Sequence, residues 1–173
     1  GYNSNYTIYD EADSRALLKA IIKELGLNDK IYKPADIHRR ISEAKNRLMM
    51  AEQYAADPHA TGRDAGDKVP DTARIYTIYQ QRCRASNAMD FDDLLLNTFV
   101  LFNENADILQ IYATALRFIL VDEYQDTNYA QQRILRQLTS QHQYVCVVGD
   151  DAQSIYGFRG ANIDNILNFQ NVY

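Results

Sequence analysis

The sequence predicts an α/β protein in which a mostly helical N-terminal part is followed by part of a parallel β-sheet domain. Two short apolar runs, residues 117–120 and 144–148, have the uninterrupted character of strands buried on both faces. A helical pattern lies between them, so the strands are expected to be parallel with a right-handed crossover. A polar, acidic cluster follows each run, at the strand ends where open α/β sheets bind their ligands.

The N-terminal helices follow from their caps and spacing. Asp10 is placed to cap a first helix that Gly26 ends, and Pro34 suits the first turn of a second helix. A third helix runs through Ile75 and Tyr79 toward Arg84. Residues 57–70 carry Pro and Gly together with charge, which predicts an exposed, mobile loop.

The second helix carries four basic residues away from its apolar positions. Such a face can follow a nucleic-acid backbone, but a solvated helix face is the interpretation that we favour. The residues are Arg39, Arg40, Lys45 and Arg47.

The C-terminal elements follow in the same way. Asp90 is expected to cap a helix that contains Phe91 and Phe102, and another helix covers about 107–116. Asn128 caps the helix between the two strands, and a last helix begins near Ala161. Because two strands cannot form a stable sheet alone, the remaining strands are expected outside this chain. The start at Gly1 without Met supports the interpretation of a piece cut from a longer protein.

Composition excludes few functions. Of 173 residues, 46% are hydrophobic and 24% charged, as in soluble globular proteins. The net charge of −5 offers no general argument for nucleic acid, although a local groove can still be basic. Two separated cysteines favour a reducing, cytoplasmic location, with Cys146 acting as a small hydrophobe inside a strand. No apolar run approaches the ~20 residues that cross a bilayer, so no membrane partner is expected.

The first acidic cluster suits the chemistry of a nucleotide-hydrolysing motor. Asp122 at a strand end is a suitable ligand for Mg²⁺, and the adjacent Glu123 can polarise the attacking water. The alternative is that both are solvated strand-end residues. Beyond the second strand, Gln153 can lie close enough to sense a γ-phosphate, or it is an ordinary turn residue.

An aromatic and basic cluster follows. Tyr156 and Phe158, flanked by glycines, can stack on nucleic-acid bases, and Arg159 can hold a phosphate. From the residues alone, packing of both aromatic rings under the last helix is favoured. The chain contains no G-x-x-x-x-G-K-S/T loop for wrapping phosphates, so nucleotide binding by this chain alone is expected to be weak.

At these clusters the chain resembles the UvrD/Rep/PcrA family of superfamily 1 DNA helicases. The octapeptide at 121–128, Val-Asp-Glu-Tyr-Gln-Asp-Thr-Asn, resembles the family's motif II, its Walker B box. Residues 148–161 resemble motif III, and residues 89–95 resemble the segment that precedes motif II. The helical region, including residues 41–46, is similar to the family's 1B subdomain.

The resemblance implies a domain organisation. Residues 1–115 would form a helical 1B-like subdomain with a mobile loop near 57–70. Residues 116–173 would form part of a RecA-like P-loop motor domain, 1A, that carries motifs II and III but lacks its Walker A segment.

The resemblance also implies roles for individual residues. Asp122 would coordinate Mg²⁺, Glu123 would activate water, and Gln153 would contact the γ-phosphate of ATP. Tyr156 and Phe158 would stack on single-stranded DNA and Arg159 would contact the strand, which reverses the preference for buried rings.

The implied function is that of an ATP-dependent DNA helicase or translocase, with 3′→5′ polarity, in DNA repair or replication. Its partners would be single-stranded and duplex DNA and the missing remainder of the helicase, and this piece alone would be inactive. Two alternatives stay open. One is a non-catalytic nucleic-acid-binding or scaffolding module with a helicase-like fold. The other is a carboxylate–metal hydrolase that uses Asp122, Glu123, Asp150 and Asp151.

Overall fold

A computed structural model describes residues 2–141, 144–150 and Phe169. The chain divides into two compact units, residues 1–94 and 95–173. The helices are α1 Glu11–Glu24, α2 Pro34–Asn46, α3 Ala51–Ala56, α4 Pro58–Gly66, α5 Thr72–Ala85, α6 Phe91–Glu104, α7 Ala106–Ala115 and α8 Tyr129–Leu138. The strands are β1 Thr7–Tyr9, β2 Ala88–Asp90, β3 Ile119–Val121 and β4 Val145–Val147. The described part of the chain is therefore mostly helical, with two small parallel sheets.

The first unit is built around the packing of α1 against α2 and α5. Asp10 and Asp13 form a capping box at the start of α1, and Gly26 adopts a left-handed conformation (φ +67°) after its end. Pro34 occupies the first turn of α2, as predicted. The three helices bury a shared apolar core that includes Leu18, Ile21, Ile22, Ile37, Ile41, Ile75, Tyr76 and Tyr79.

Two short strands of this unit had no sequence signal. β1 pairs in parallel with β2, with Thr7 opposite Ala88 and Tyr9 opposite Asp90. Each strand has only three residues, which is too short for a periodic pattern to be recognised. The pairing places Asp90 at the start of α6, where Asp90 Oδ1 accepts from the amide of Asp93 at 2.8 Å. The predicted cap of α6 at Asp90 is therefore present.

The predicted mobile loop at 57–70 is wrong, because most of it forms α4. Asp57 caps this helix by accepting from the amide of His59 at 2.9 Å. Asp64, buried on α4, accepts hydrogen bonds from Tyr54 Oη and from Arg40 Nη1, both at 2.8 Å. The helix is thus held by tertiary contacts that outweigh the poor helix propensity of its glycines.

The basic residues of α2 do not all lie on one solvent-exposed face of the helix. Arg40 is mostly buried and pairs with Asp64 and Asp67, whereas Arg39 is exposed and pairs with Glu43 one turn along the helix. Lys45 is fully buried and contacts two carboxylates. The preferred interpretation of a solvated face is therefore wrong for Arg40 and Lys45.

The second unit contains the predicted strand–helix–strand segment. β3 and β4 are parallel, with Leu120 opposite Cys146, and Asn128 forms a capping box with Gln131 at the start of α8. The expected burial on both faces is wrong: Leu120 is 78% exposed and Cys146 is also exposed. Phe118 and Tyr144, exposed as well, stack with their ring centroids 5.3 Å apart.

Two further predictions have different outcomes. Within the described residues, no helix combines the length and apolar character that crossing a membrane requires. The last helix, predicted from near Ala161, lies outside the described residues.

Candidate nucleotide site

The site begins where β3 ends, at a sharp bend formed by Asp122 and Glu123. Glu123 has a left-handed backbone (φ 50°, ψ 42°), and its amide donates to Asp122 Oδ1 at 2.9 Å. Such a conformation costs a non-glycine residue about 1–3 kcal/mol and is concentrated at functional sites. A 3-10 turn at Tyr124–Asp126 follows at once.

Backbone hydrogen bonds join this bend to the end of β4. The Val148 amide donates to the carbonyl of Val121 at 2.8 Å, and the Tyr124 amide donates to the carbonyl of Val148 at 2.9 Å. These bonds carry the pairing of the strands past their last regular residues. The two segments that follow the strands therefore start side by side, as the sequence predicted for parallel strands.

A cavity of about 440 Å³ lies beside the bend. Asp122 and Glu123 line it together with polar residues of the turn and of α8, and Ile134, Leu135 and Leu138 supply apolar surface. Pockets for small ligands have roughly 300–1,000 Å³ and combine an apolar lining with a few polar groups. The cavity therefore has a volume and a lining that suit a small polar ligand.

The structure reveals one buried polar residue that sequence reasoning missed. Gln125 is 1% exposed and lies within the turn, where its Nε2 donates to Glu123 Oε2 at 2.6 Å. Its Oε1 accepts from the amide of Asp150 at 3.0 Å. A glutamine in a polar, charged octapeptide carries no burial signal, and the pairing of two chain segments is not visible in local sequence.

The predicted site residues fall into two groups. Asp122 and Glu123 are exposed at the cavity, next to each other at the end of β3. Gln153, Tyr156, Phe158 and Arg159 lie outside the described residues, as does Asp151. The segment that contains them starts at Asp150, whose amide contacts the site through Gln125.

The donor set can be tested against Mg²⁺. In the ranges that the structure describes, no group of three or more His, Cys, Asp or Glu side chains converges on a point. Mg²⁺ is commonly held by one or two carboxylates, with phosphate oxygens and water completing its octahedron. Asp122, exposed at the cavity, fits a Mg²⁺ ion that arrives with a triphosphate.

Carboxylates at the end of a parallel strand, beside a ligand-sized cavity, are typical of nucleotide hydrolases. Comparison with known proteins identifies the family. A family model described as the UvrD/REP helicase N-terminal domain matches residues 1–173, and the chain belongs to this family.

Curated relatives match along the whole chain. The chain is 43% identical over 180 residues to the ATP-dependent DNA helicase UvrD1 of Mycobacterium tuberculosis (strain H37Rv). It is 40% identical over 173 residues to the ATP-dependent DNA helicase PcrA of Bacillus subtilis (strain 168), and 38% identical over 176 residues to PcrA of Staphylococcus aureus (strain Mu50). Each match covers 100% of this chain but 23% of the relative, so the chain spans less than a quarter of those proteins.

Proposed function

We propose that this chain is part of an ATP-dependent DNA helicase or translocase that couples ATP hydrolysis to movement along single-stranded DNA. Membership of the UvrD/REP family supports this function, as do relatives named ATP-dependent DNA helicases. By family resemblance, the movement is 3′→5′, it serves DNA repair or replication in the cytoplasm, and duplex DNA is the second nucleic-acid partner. Residues 1–115 are assigned to the 1B-like subdomain and residues 116–173 to part of motor domain 1A.

One observation carries the proposal: the bend at Asp122 and Glu123 opens on a cavity at the end of β3. Asp122 is assigned to Mg²⁺ and Glu123 to the water that attacks the γ-phosphate. Bound Mg²⁺ would neutralise the charge that develops on the phosphate oxygens. Glu123 would orient the water and accept its proton, which requires an ionised carboxylate in contact with solvent. Its exposed position at the cavity supports that role.

The remaining roles belong to the segment after β4. Gln153 is assigned to contact the γ-phosphate of ATP. When hydrolysis removes that phosphate, Gln153 loses this contact. Tyr156 and Phe158 are assigned to base stacking and Arg159 to the DNA strand, an arrangement that tolerates any sequence because every base has a flat face.

The function requires polypeptide beyond this chain. The sequence has no G-x-x-x-x-G-K-S/T loop, so a phosphate cradle has to be supplied by the remainder of the helicase. The exposed apolar residues Phe118, Leu120 and Val148 of the β3–β4 region support the same conclusion, since exposed apolar patches commonly mark contact surfaces. This chain alone is therefore proposed to hydrolyse no ATP.

The test is Glu123→Gln in the full-length protein that contains this chain. The amide preserves shape but cannot accept a proton, so we expect ATP to bind nearly as before and turnover to fall by at least about 100-fold. Single-turnover ATP hydrolysis with single-stranded DNA measures the rate, and equilibrium nucleotide binding measures affinity. Glu104→Gln, at an exposed position of α6, is the matched control and should retain full turnover.

Three outcomes would contradict parts of the proposal. Turnover that survives Glu123→Gln would remove the catalytic role of Glu123. A full-length protein that binds DNA but never hydrolyses ATP would favour the non-catalytic module. ATP hydrolysis by this 173-residue chain alone, at rates comparable to the full-length protein, would disprove its proposed inactivity.

A further inference from the structure

We propose that Gln125 is a positioning residue that holds the Glu123 carboxylate and ties it to the segment following β4. This inference rests on the proposed catalytic role of Glu123. Among the described residues, the buried side chain of Gln125 forms hydrogen bonds with both segments that follow the strands: with Glu123 after β3 and with Asp150 after β4.

The hydrogen bonds determine the orientation of the Gln125 amide. The amide of Asp150 can only donate, so the Gln125 atom facing it at 3.0 Å must be the oxygen. The nitrogen then faces Glu123 Oε2 at 2.6 Å, where an ionised carboxylate can only accept. Exchanging the oxygen and nitrogen would put two donors together at one end and two acceptors together at the other. The arrangement therefore has one consistent orientation.

Burial makes this arrangement stiff. Gln125 is 1% exposed, so water cannot readily replace a lost partner, and an unpaired buried amide is costly. Its backbone is part of the 3-10 turn at Tyr124–Asp126. Thr127 braces that turn by donating from its hydroxyl to the carbonyl of Tyr124 at 2.7 Å. The Gln125 side chain is thus a rigid link between Glu123 and Asp150.

The link has two consequences for Glu123. First, Gln125 binds one carboxylate oxygen of Glu123, Oε2. The other oxygen, Oε1, accepts no hydrogen bond from the described residues, which leaves it available to bind water. Second, a displacement of the backbone at Asp150 would break the hydrogen bond that Gln125 Oε1 accepts from the Asp150 amide. The Gln125 side chain would then be less fixed, and so would the Glu123 carboxylate that it binds. The segment that starts at Asp150 also carries Gln153, the proposed γ-phosphate contact. Through Gln125, the orientation of the Glu123 carboxylate therefore depends on the position of that segment.

Two substitutions in the full-length protein separate the two ends of the link. Gln125→Met keeps the length and burial of the side chain but removes both hydrogen bonds. We expect kcat for ATP hydrolysis to fall about 10- to 100-fold, the size of effect that a misplaced catalytic group produces, with KM changed less than about threefold. Gln81→Met, at an exposed position of α5, is the matched control and should leave both constants unchanged.

Gln125→Glu keeps an oxygen for the Asp150 amide but sets a second carboxylate against Glu123. At neutral pH we expect kcat to fall at least as far as in Gln125→Met, because two like charges lie at hydrogen-bond distance. KM should again change less than about threefold. A lowered kcat with a nearly unchanged KM is the signature that a merely structural role would not produce.

Amide hydrogen exchange at Asp150, measured in the full-length protein that contains this chain, follows the other end of the link without relying on catalysis. Gln125→Met should speed the exchange about 10-fold or more, whereas Gln125→Glu should keep it near the wild-type rate. Equal exchange in the wild type and Gln125→Met would overturn the proposed hydrogen bond.

The outcomes distinguish this inference from the proposed function. If Glu123→Gln abolishes turnover while both Gln125 variants keep the wild-type kcat, the positioning role of Gln125 is wrong and the function of Glu123 stands. If Glu123→Gln keeps full turnover, the proposed function fails at its own test, and the positioning role fails with it, whatever the exchange data show of the hydrogen bond.

Discussion

The two units of the chain use their charged and apolar residues in opposite ways. The first unit encloses Lys45 against Asp90 and Asp93, with Nζ–oxygen distances of 2.6 and 2.7 Å. The second unit leaves Asp122 and Glu123 exposed, and Leu120 is 78% exposed on its sheet. Charged clusters in one chain can thus differ in kind: the first satisfies its charges internally, whereas the second leaves its carboxylates exposed beside a cavity.

The enclosed cluster is stabilised by more than one ion pair. Burial disfavours the charged form of Lys45, but the carboxylates of Asp90 and Asp93 outweigh it and raise the pKa of Lys45 above its ordinary value. Tyr79 Oη adds a hydrogen bond to Asp90 Oδ2 at 2.9 Å. Burial also opposes ionisation of Asp90, yet Lys45 dominates and lowers the pKa of that carboxyl. For Asp93, burial prevails and raises the pKa.

The largest effect is expected from Lys45→Met. Removing the cation leaves two carboxylates buried side by side, which costs about 3–5 kcal/mol of unfolding free energy. Urea unfolding followed by helical circular dichroism measures the loss. The stability of the variant should recover in part as the pH falls, because protonation removes the uncompensated charge.

The matched control is Lys19→Met, since Lys19 is exposed on α1. This variant should stay within about 0.5 kcal/mol of the wild type. If Lys45→Met were as stable as Lys19→Met, the buried charges would not support the first unit, and the contrast between the units would lose its basis.

A smaller effect is expected from truncating apolar side chains in each unit. Ile37→Ala empties part of a packed core, where the wild-type side chain is 0% exposed, and should cost about 2–5 kcal/mol. Leu120→Ala removes a side chain that is already in water and should change stability by less than about 0.5 kcal/mol. Unfolding resolved by amide exchange in each unit compares the two. A loss at Leu120 as large as that at Ile37 would mean that the β3–β4 face is covered in solution.

The smallest effect concerns pH and His38 in the first unit. Burial lowers the pKa of His38 below its ordinary value of 6.5 and outweighs nearby carboxylates, chiefly Asp90. The unfolded chain therefore binds a proton more readily than the folded chain. The stabilising contribution is present above pH 6.5 and is lost as the pH falls through 6.5 toward the lowered folded value. His38→Gln should flatten the loss of stability below pH 6.5, and an unchanged pH profile would show that burial does not shift this residue.

Local sequence predicted the features that depend on local hydrogen bonds. The capping boxes at Asp10 and Asn128 and the proline at the start of α2 all follow from residues a few positions apart. The candidate site was predicted in the same way, because Asp122 and Glu123 directly follow an apolar run that forms a strand. The family was recognised from linear motifs, and the comparisons confirm it.

Local sequence was therefore sufficient for the helices α1, α2 and α8 with their first turns, for the parallel β3–β4 pair and for carboxylates at the end of β3. Tertiary contacts were needed to show that Lys45 is buried, that α4 replaces the expected loop, that Leu120 is exposed, and that Gln125 joins Glu123 to Asp150. The physical reason is distance along the chain. Lys45 and Asp90 are 45 residues apart, and Gln125 and Asp150 are 25 residues apart, so neither pairing leaves a mark on the short-range pattern that a sequence displays.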